Sequence, residues 1–244
     1  MFYFKPKNAV LAIPGLVILA LAVFLSLRGD GAAPVSGYVV SRVDAVVLDA
    51  GHGGADGGTV GRSGTVEKDI NLEITLLTRE FCDFLGVKTV LTRDSDVSLG
   101  SGETLRRQKA TDLRARVELV RSLGPVCLIS VHQNYYGDRV SRGAQVFYAP
   151  GNRSGEALAK SMRQSIAHAT GEEKPREAMA IPNGNYLLEN LACPAIIIEC
   201  GFLSHPEEEM LLNSPEYRAR LAFAVAAEAL NCVTVGIDPG AAQN

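Results

Sequence analysis

The chain has 244 residues, 47% of them hydrophobic and 21% charged, with a formal net charge of −3. This length and composition are typical of one globular domain or at most two small ones, and they exclude collagen-like and disordered chains. The first 43 residues carry four basic side chains and one acidic side chain, a net charge of +3, so the remainder carries −6. Because nucleic-acid binding depends on clustered basic residues, we expect no nucleic-acid partner.

The first predicted element is an apolar segment, residues 9–27, which contains no charged side chain. As a helix it would be about 28 Å long, close to the hydrocarbon thickness of a bilayer. Lys5 and Lys7 precede it, which favours a cytoplasmic N-terminus and a domain on the extracytoplasmic side. We therefore predict that residues 1–30 form a membrane anchor or an uncleaved signal. A cleaved signal and a secreted domain are the alternative, although residues 31–34 make a poor cleavage site.

Beyond residue 43, short apolar runs alternate with longer stretches of helical periodicity. The runs predicted as strands are Ala45–Asp49, Val87–Thr92, Val126–Val131, Ala144–Tyr148 and Ala195–Ile198. The predicted helices span about 69–85, end near Gly124, end near Gly171 and begin after Pro215. This alternation predicts an α/β fold, a mostly parallel twisted sheet with helices on both faces. We expect a linker over 31–43, a single domain over 44–235 that follows the N-terminal apolar helix, and a C-terminal tail over 236–244.

Polar residues follow several of these strands at once. His52 lies just beyond the first predicted strand, His132 beyond the third, and Glu199 directly after three isoleucines in the last. In open α/β sheets, ligands bind outside the carboxyl ends of the strands. The sequence therefore predicts a functional site at this edge of the sheet.

The glycine-rich loop around His52 has a competing interpretation as a nucleotide cradle. Asp56 stands where the dinucleotide fingerprint requires glycine, and the chain contains no Gly-Lys-Ser or Gly-Lys-Thr sequence. We therefore expect the glycines to let the backbone turn tightly so that the imidazole faces a metal ion.

His52, Glu67 and His132 together offer two nitrogens and one carboxylate, a ligand set that catalytic zinc uses while keeping a fourth position for water. Glu199 would lie close enough to act on that water. Singly, Glu67 also fits a carboxylate placed at a helix N-terminus, and His132 fits a hydrogen-bonded residue at a strand end. A glutamate after three isoleucines is costly to bury unpaired, so Glu199 needs a partner or a role. We predict one Zn²⁺ per chain.

Residues around this cluster are predicted to support it. Asn134 or Arg93 would steady an oxyanion or bind peptide carboxylates, unless both simply brace the loops. Asp49 and Asp56 would orient the ligand imidazole, unless they are only turn residues. The polar segment Asp94–Lys109 is long for a connection, and we expect it to become ordered on binding substrate or an activator protein.

Four motifs occur in order along the chain: LDAGHGGADGG, VEKDINLEI, SVHQN and IIIECGFLSHPEE. Through them the chain from about residue 44 to 232 resembles the zinc-dependent N-acetylmuramoyl-L-alanine amidases of the amidase-3 family. The resemblance implies zinc ligands at His52, Glu67 and His132 and a catalytic glutamate at Glu199. It also implies an α/β catalytic domain that hydrolyses the bond between N-acetylmuramic acid and L-Ala in the stem peptide of peptidoglycan.

A single domain behind an N-terminal anchor resembles the CwlD-type sporulation and germination amidases. This layout implies a part in forming the muramic-lactam of the spore cortex. Another zinc peptidase or deacetylase of the cell wall is the first alternative. A non-catalytic wall-binding module is the second, and the intact set of His52, Glu67, His132 and Glu199 argues against it.

Overall fold

The structure is a computed structural model that describes residues 41–182 and 184–240. The predicted anchor over residues 1–30, its membrane contact through residues 9–27 and most of the predicted linker lie outside the described residues. Among the residues that are described, no helix is both long and apolar enough to cross a membrane.

Six strands and six helices make up the described chain. The strands are β1 (Ala45–Ala50), β2 (Thr89–Leu91), β3 (Val126–Asn134), β4 (Gln145–Tyr148), β5 (Met179–Ala180) and β6 (Ala195–Phe202). The helices are α1 (Glu67–Phe84), α2 (Leu105–Ser122), α3 (Arg153–Thr170), α4 (Tyr186–Glu189), α5 (Pro206–Leu212) and α6 (Pro215–Thr234). Each of the five predicted strands corresponds to one of these, with ends that differ by a few residues.

All six strands join one sheet in the order β2-β1-β3-β6-β4-β5. The first four of these run parallel, β4 runs antiparallel to β6, and β5 runs parallel to β4. The prediction of a mostly parallel α/β sheet is therefore confirmed. Since β1, β3 and β6 are parallel neighbours, their carboxyl ends lie together at one edge.

Successive residues of the central strands point to opposite faces of the sheet, and each face buries its own cluster. One face buries Val46, Leu48, Cys127, Ile129, Val131, Ile196 and Ile198 against α1, α3 and α6. The other buries Ala45, Val47, Val126, Leu128, Ala195 and Ile197 against α2 and α4. Burial on both faces explains why these strands read as continuous apolar runs, and it confirms that helices cover both faces.

The segment Asp94–Lys109 was predicted to be an irregular connection, but its last residues are helical. Helix α2 already begins at Leu105, and the Thr104 hydroxyl accepts a hydrogen bond from the Arg107 N–H as its N-cap. The first turns of α2 are exposed and polar, so they carry no apolar periodicity that a sequence pattern could detect. Residues of this segment contact α2, since the Leu99 N–H donates to the Asp112 carboxylate and the Ser101 N–H to the Thr111 hydroxyl. Ordering on binding substrate or an activator protein stays a prediction. The elements β5, α4 and α5 are too short to show a period and were not predicted.

The two ends of the described chain pair with each other. The Ser41 N–H donates to the Ile237 carbonyl at 2.9 Å, and the Ile237 N–H donates to the Ser41 carbonyl at 3.0 Å. Ile237 and Val43 are both buried. Packed structure therefore continues a few residues beyond each end of the range 44–235.

A buried ion network lies beneath the carboxyl end of β1. Arg116 of α2 is 2% exposed and forms ion pairs with Asp49 and, at 2.6 Å, with Asp112. Its guanidinium also donates to the carbonyls of Ala50 at 2.9 Å and His52 at 2.7 Å. Burial alone would raise the pKa of Asp49, but the Arg116 charge and two hydroxyl donors outweigh it and lower that pKa. The network ties α2 to the loop that carries His52.

We expect Arg116→Met to lower the free energy of unfolding by about 3–5 kcal/mol, because it leaves Asp49 buried with an uncompensated charge. Urea unfolding followed by circular dichroism measures the change. Arg114→Met is the matched control, since Arg114 is exposed on the same helix. Equal stability of the two variants would contradict the structural role of Arg116.

Candidate metal centre

The loop after β1 presents His52 in an uncommon backbone conformation. The φ angle of His52 is 63°, in the left-handed region that residues other than glycine rarely adopt. The Arg116 guanidinium holds the His52 carbonyl, and the Asn71 amide holds the Gly51 carbonyl at 3.1 Å. A strained backbone conformation of this kind persists only where surrounding contacts hold it in place, and such conformations are concentrated at functional sites.

Arg93 braces the same loop from the other side. It is 3% exposed, and its guanidinium donates to the carbonyls of Ala50 at 2.9 Å, Gly51 at 3.1 Å and Lys68 at 2.8 Å. A further bond joins it to the Ser95 carbonyl at 3.0 Å. Of the two predicted roles for Arg93, this geometry favours bracing of the loop over direct contact with substrate.

Glu67 is the first residue of α1 and the central group of the cluster. Its side chain is 3% exposed, and one carboxylate oxygen, Oε1, lies 3.2 Å from His52 Nε2 and 3.0 Å from His132 Nδ1. The backbone N–H groups of Thr59 and Gln133 also donate to this carboxylate, at 2.8 and 3.2 Å. The N-terminus of α1 favours negative charge at this position, so the helix-terminus and ligand interpretations of Glu67 hold together.

Strand pairing brings the remaining groups to the same edge. His132 of β3 and Glu199 of β6 are direct partners in the parallel ladder. The rings of His52 and His132 meet edge to face, with centroids 5.0 Å apart. The structure therefore brings together His52, Glu67, His132 and Glu199, which the sequence placed on separate elements.

The surroundings of this cluster shift the pKa values of its two carboxyl groups in opposite directions. Burial alone would raise the pKa of Glu67, but hydrogen bonds and charge from His132 and His52 hold it well below the usual range. Burial raises the pKa of Glu199 to about 7, and the nearby imidazoles only partly counter this. One oxygen of Glu199, Oε2, is buried and makes no hydrogen bond within the described chain. This unpartnered oxygen is unusual for a buried polar atom and points to a bound group.

The cluster fits a metal ion. The ligand atoms of His52, Glu67 and His132 all lie within 4.8 Å of one another. The Asp56 carboxylate lies 2.9 Å from His52 Nδ1, so the Nε2 atom of that ring is the one that faces the cluster. Burial alone would lower the pKa of His52, but the carboxylates of Glu67 and Asp56 outweigh it and raise that pKa. Two imidazoles and one carboxylate, with the Glu199 carboxyl group beside them, match the donor set of a catalytic zinc site.

Glycines are needed where the backbone passes these ligands. A Cβ atom on Gly51 would lie 2.3 Å from the His132 ring. A Cβ atom on Gly58 would lie 2.4 Å from Glu67 Oε2, and the φ angle of Gly58 is 71°. The glycine-rich loop therefore lets the backbone pass close to the His132 and Glu67 side chains, whereas the sequence predicted only a tight turn around His52.

The other predicted site residues lie around the cluster. Asn134 Nδ2 donates to Gln145 Oε1 at 2.7 Å, and Asn134 Oδ1 accepts from the next N–H, so these contacts brace the end of β3. Asp56 contacts His52 and so fits the predicted orienting role. Asp49 does not orient an imidazole, because its partners are Arg116, Ser130 and Thr92.

Two residues that contact the site were not predicted from the sequence. Arg116 supports the His52 carbonyl, and Lys109 Nζ lies 2.7 Å from the Asp56 carboxylate. An arginine that sits four residues after Asp112 on an apolar helix face was a detectable sign of a buried ion pair. For Lys109, an exposed and charged residue in a polar stretch, no local signal exists.

Comparisons with known proteins show the family of the chain. The sequence profile of the family described as N-acetylmuramoyl-L-alanine amidase, amidase-3, matches residues 46–231. The germination-specific N-acetylmuramoyl-L-alanine amidase of Bacillus subtilis is 36% identical over 208 residues, covering 84% of each chain. The amidase AmiA of Escherichia coli is 25% identical over 223 residues, covering 74% of this chain and 73% of its own.

A solved structure extends the likeness to three dimensions. The CwlD amidase of Clostridioides difficile, solved in complex with the GerS lipoprotein, superimposes with a TM-score of 0.74 and 33% identity. The match covers 79% of this chain and 99% of the solved chain. Because the family profile spans most of the chain and the Bacillus subtilis relative is 36% identical over 84% of it, the chain belongs to the amidase-3 family of N-acetylmuramoyl-L-alanine amidases.

Proposed function

We propose that this enzyme hydrolyses the amide bond between the lactyl group of N-acetylmuramic acid and L-Ala in peptidoglycan, with one Zn²⁺ held by His52, Glu67 and His132. Family membership supports the reaction. The observation that carries the metal assignment is the Glu67 carboxylate, which lies 3.0–3.2 Å from one nitrogen of each imidazole. The zinc peptidase, deacetylase and wall-binding alternatives lack a specific supporting observation.

A zinc ion in this site would supply a Lewis acid for the scissile carbonyl and would make water more acidic. Glu199 takes the proton from the attacking water and later delivers it to the leaving amine of L-Ala. A pKa near 7 suits both steps, because the carboxyl group can accept and release a proton at neutral pH. Glu67 stays ionised through the cycle, which suits a ligand and makes it a poor proton carrier.

The ligands are held in place by the fold before substrate arrives. Glu67 is fixed by two backbone N–H donors, and His52 is fixed through its carbonyl and through Asp56. Partners of this kind fix the ring orientation and tautomer of metal-binding histidines. We assign Asp56 this orienting role, and we assign Asn134 and Arg93 the support of the loops behind the ligands.

The remaining proposals concern where the enzyme acts. The 36% identity with a germination-specific amidase and the likeness to a CwlD amidase support a role in spore cortex muramic-lactam formation. The solved CwlD amidase forms a complex with a lipoprotein, which supports an activator protein as a partner here. The apolar segment over residues 9–27 supports a membrane-anchored domain that faces the wall.

We expect the full-length chain to release L-Ala amino groups from purified peptidoglycan without cutting glycan strands or cross-links, as measured by mass spectrometry of the digest. Chelation should abolish the release, and added Zn²⁺ should restore it.

Glu199→Gln should bind Zn²⁺ normally but lower kcat by about 10²- to 10⁴-fold, because it removes the proton acceptor. Native activity in this variant would refute the role of Glu199, and full activity after chelation would refute the zinc assignment.

The stability of Glu199→Gln serves as the control for folding. The folded-state pKa of Glu199 lies above its ordinary value of 4.5, so its contribution to stability is lost as the pH rises through about 7. We therefore expect the metal-free variant to be more stable than the metal-free native chain at pH 8. Below pH about 4.5 the difference should disappear, since both side chains are then neutral.

We expect Gly58→Ala to weaken Zn²⁺ affinity at least tenfold, because the new methyl group would displace the Glu67 carboxylate. Gly64→Ala is the matched control: its φ angle is also positive, at 92°, but no atom lies within 4 Å of the added Cβ. Both variants should lose about 1–2 kcal/mol of stability to backbone strain. Zinc affinity by competition with a chromogenic chelator separates the two effects, and equal affinities would contradict the steric argument.

Cell fractionation tests the proposed anchor. We expect the full-length chain in the membrane fraction, digestible by protease added from outside, because residues 9–27 can span the bilayer. A chain that lacks residues 1–30 should leave the membrane fraction. Recovery of a shortened native chain in the culture medium would instead show that the segment is a cleaved signal.

A further inference from the structure

Lys109 of α2 contacts the metal centre through one intermediate residue. Its ammonium group lies 2.7 Å from Asp56 Oδ1, and Asp56 Oδ2 lies 2.9 Å from His52 Nδ1. The Gly58 N–H also donates to Asp56 Oδ1, at 3.1 Å. The carboxylate of Asp56 thus has one oxygen held by Lys109 and Gly58 and the other turned to the imidazole.

The turn of α2 that follows Lys109 is held against the loop over residues 99–101. The Leu99 N–H donates to the Asp112 carboxylate at 2.8 Å, and the Ser101 N–H donates to the Thr111 hydroxyl at 3.0 Å. A Cβ atom on Gly100 would lie 2.3 Å from the Asp112 backbone nitrogen, so the loop lies directly against the helix. Lys109 therefore extends toward Asp56 from a position that is already fixed.

We propose that Lys109 is a positioning residue for the metal centre, which fixes the Asp56 carboxylate and through it the orientation of the His52 ring. This inference rests on the proposed zinc function. Without the ammonium group, Gly58 alone would hold Asp56 Oδ1, and the carboxylate could rotate away from the imidazole. Within the described residues, no hydrogen bond or ion pair joins Lys109 to His52, Glu67 or His132, so its effect passes through Asp56.

The expected effect is on metal retention rather than on folding. The Lys109 side chain is 45% exposed, and ion pairs in that setting contribute little to overall stability. Changing the direct partner of a ligand typically weakens metal affinity by about 10- to 100-fold. Because Lys109 lies one contact further out, we expect Lys109→Met to weaken Zn²⁺ affinity about three- to tenfold.

The experiment measures Zn²⁺ affinity of the full-length chain by chelator competition. Lys109→Met, Asp56→Asn and the double variant are compared with the native chain. Lys109→Arg should recover most of the affinity, since its guanidinium can reach the same carboxylate. Arg106→Met is the control, because it removes the same charge from an exposed position of α2.

Coupling between the two residues distinguishes positioning from a general charge effect. If Lys109 acts through Asp56, the double variant should bind Zn²⁺ no more weakly than Asp56→Asn alone. The thermal midpoint of the metal-free chain should be unchanged in Lys109→Met. Native affinity in Lys109→Met, additive losses in the double variant or an equal loss in Arg106→Met would each overturn the proposal. A native chain that binds no Zn²⁺ would instead refute the proposed function.

Discussion

The site depends on how the chain satisfies the carbonyl groups where β1 ends. At this point the backbone leaves the sheet and turns through a left-handed residue, His52, so ladder hydrogen bonds are no longer available. Two buried guanidinium groups replace them: Arg116 holds the carbonyls of Ala50 and His52, and Arg93 holds those of Ala50 and Gly51. A residue in this conformation costs about 1–3 kcal/mol, which these charged hydrogen bonds offset.

Two glutamates at the same edge acquire different pKa values from their surroundings. Glu67 has two imidazoles and two N–H donors around it, so burial does not prevent its ionisation. Glu199 has one oxygen without a partner, so burial dominates and moves its pKa into the neutral range. Separation of two carboxyl groups in this way is how one site provides both a permanent charge and a group that exchanges protons.

The sequence predicted much of the fold and of the ligand cluster for a physical reason. Strands buried on both faces are continuous apolar runs, and their parallel arrangement brings His132 and Glu199 to one edge with His52. The bracing residues were harder to assign, because the bonds that join Arg93 and Arg116 to residues 49–52 span 42 to 67 positions in the chain. Local periodicity has no information about such pairs. The start of α2 was missed for a related reason, since its exposed turns gain stability from caps and loop contacts rather than from an apolar face.

The parts of the site differ in how much of the fold depends on them. Arg116 is buried beneath the loop, and its removal would leave Asp49 charged and unpaired in the core. Lys109 is half exposed and forms an ion pair with the outer oxygen of Asp56. For the proposed zinc site we therefore expect substitutions at buried residues to change folding and metal binding together, and substitutions at exposed residues to change metal binding with little effect on folding. The contacts from Lys109 through Asp56 to His52 are accordingly where we expect the affinity of the proposed zinc site to vary most independently of the core.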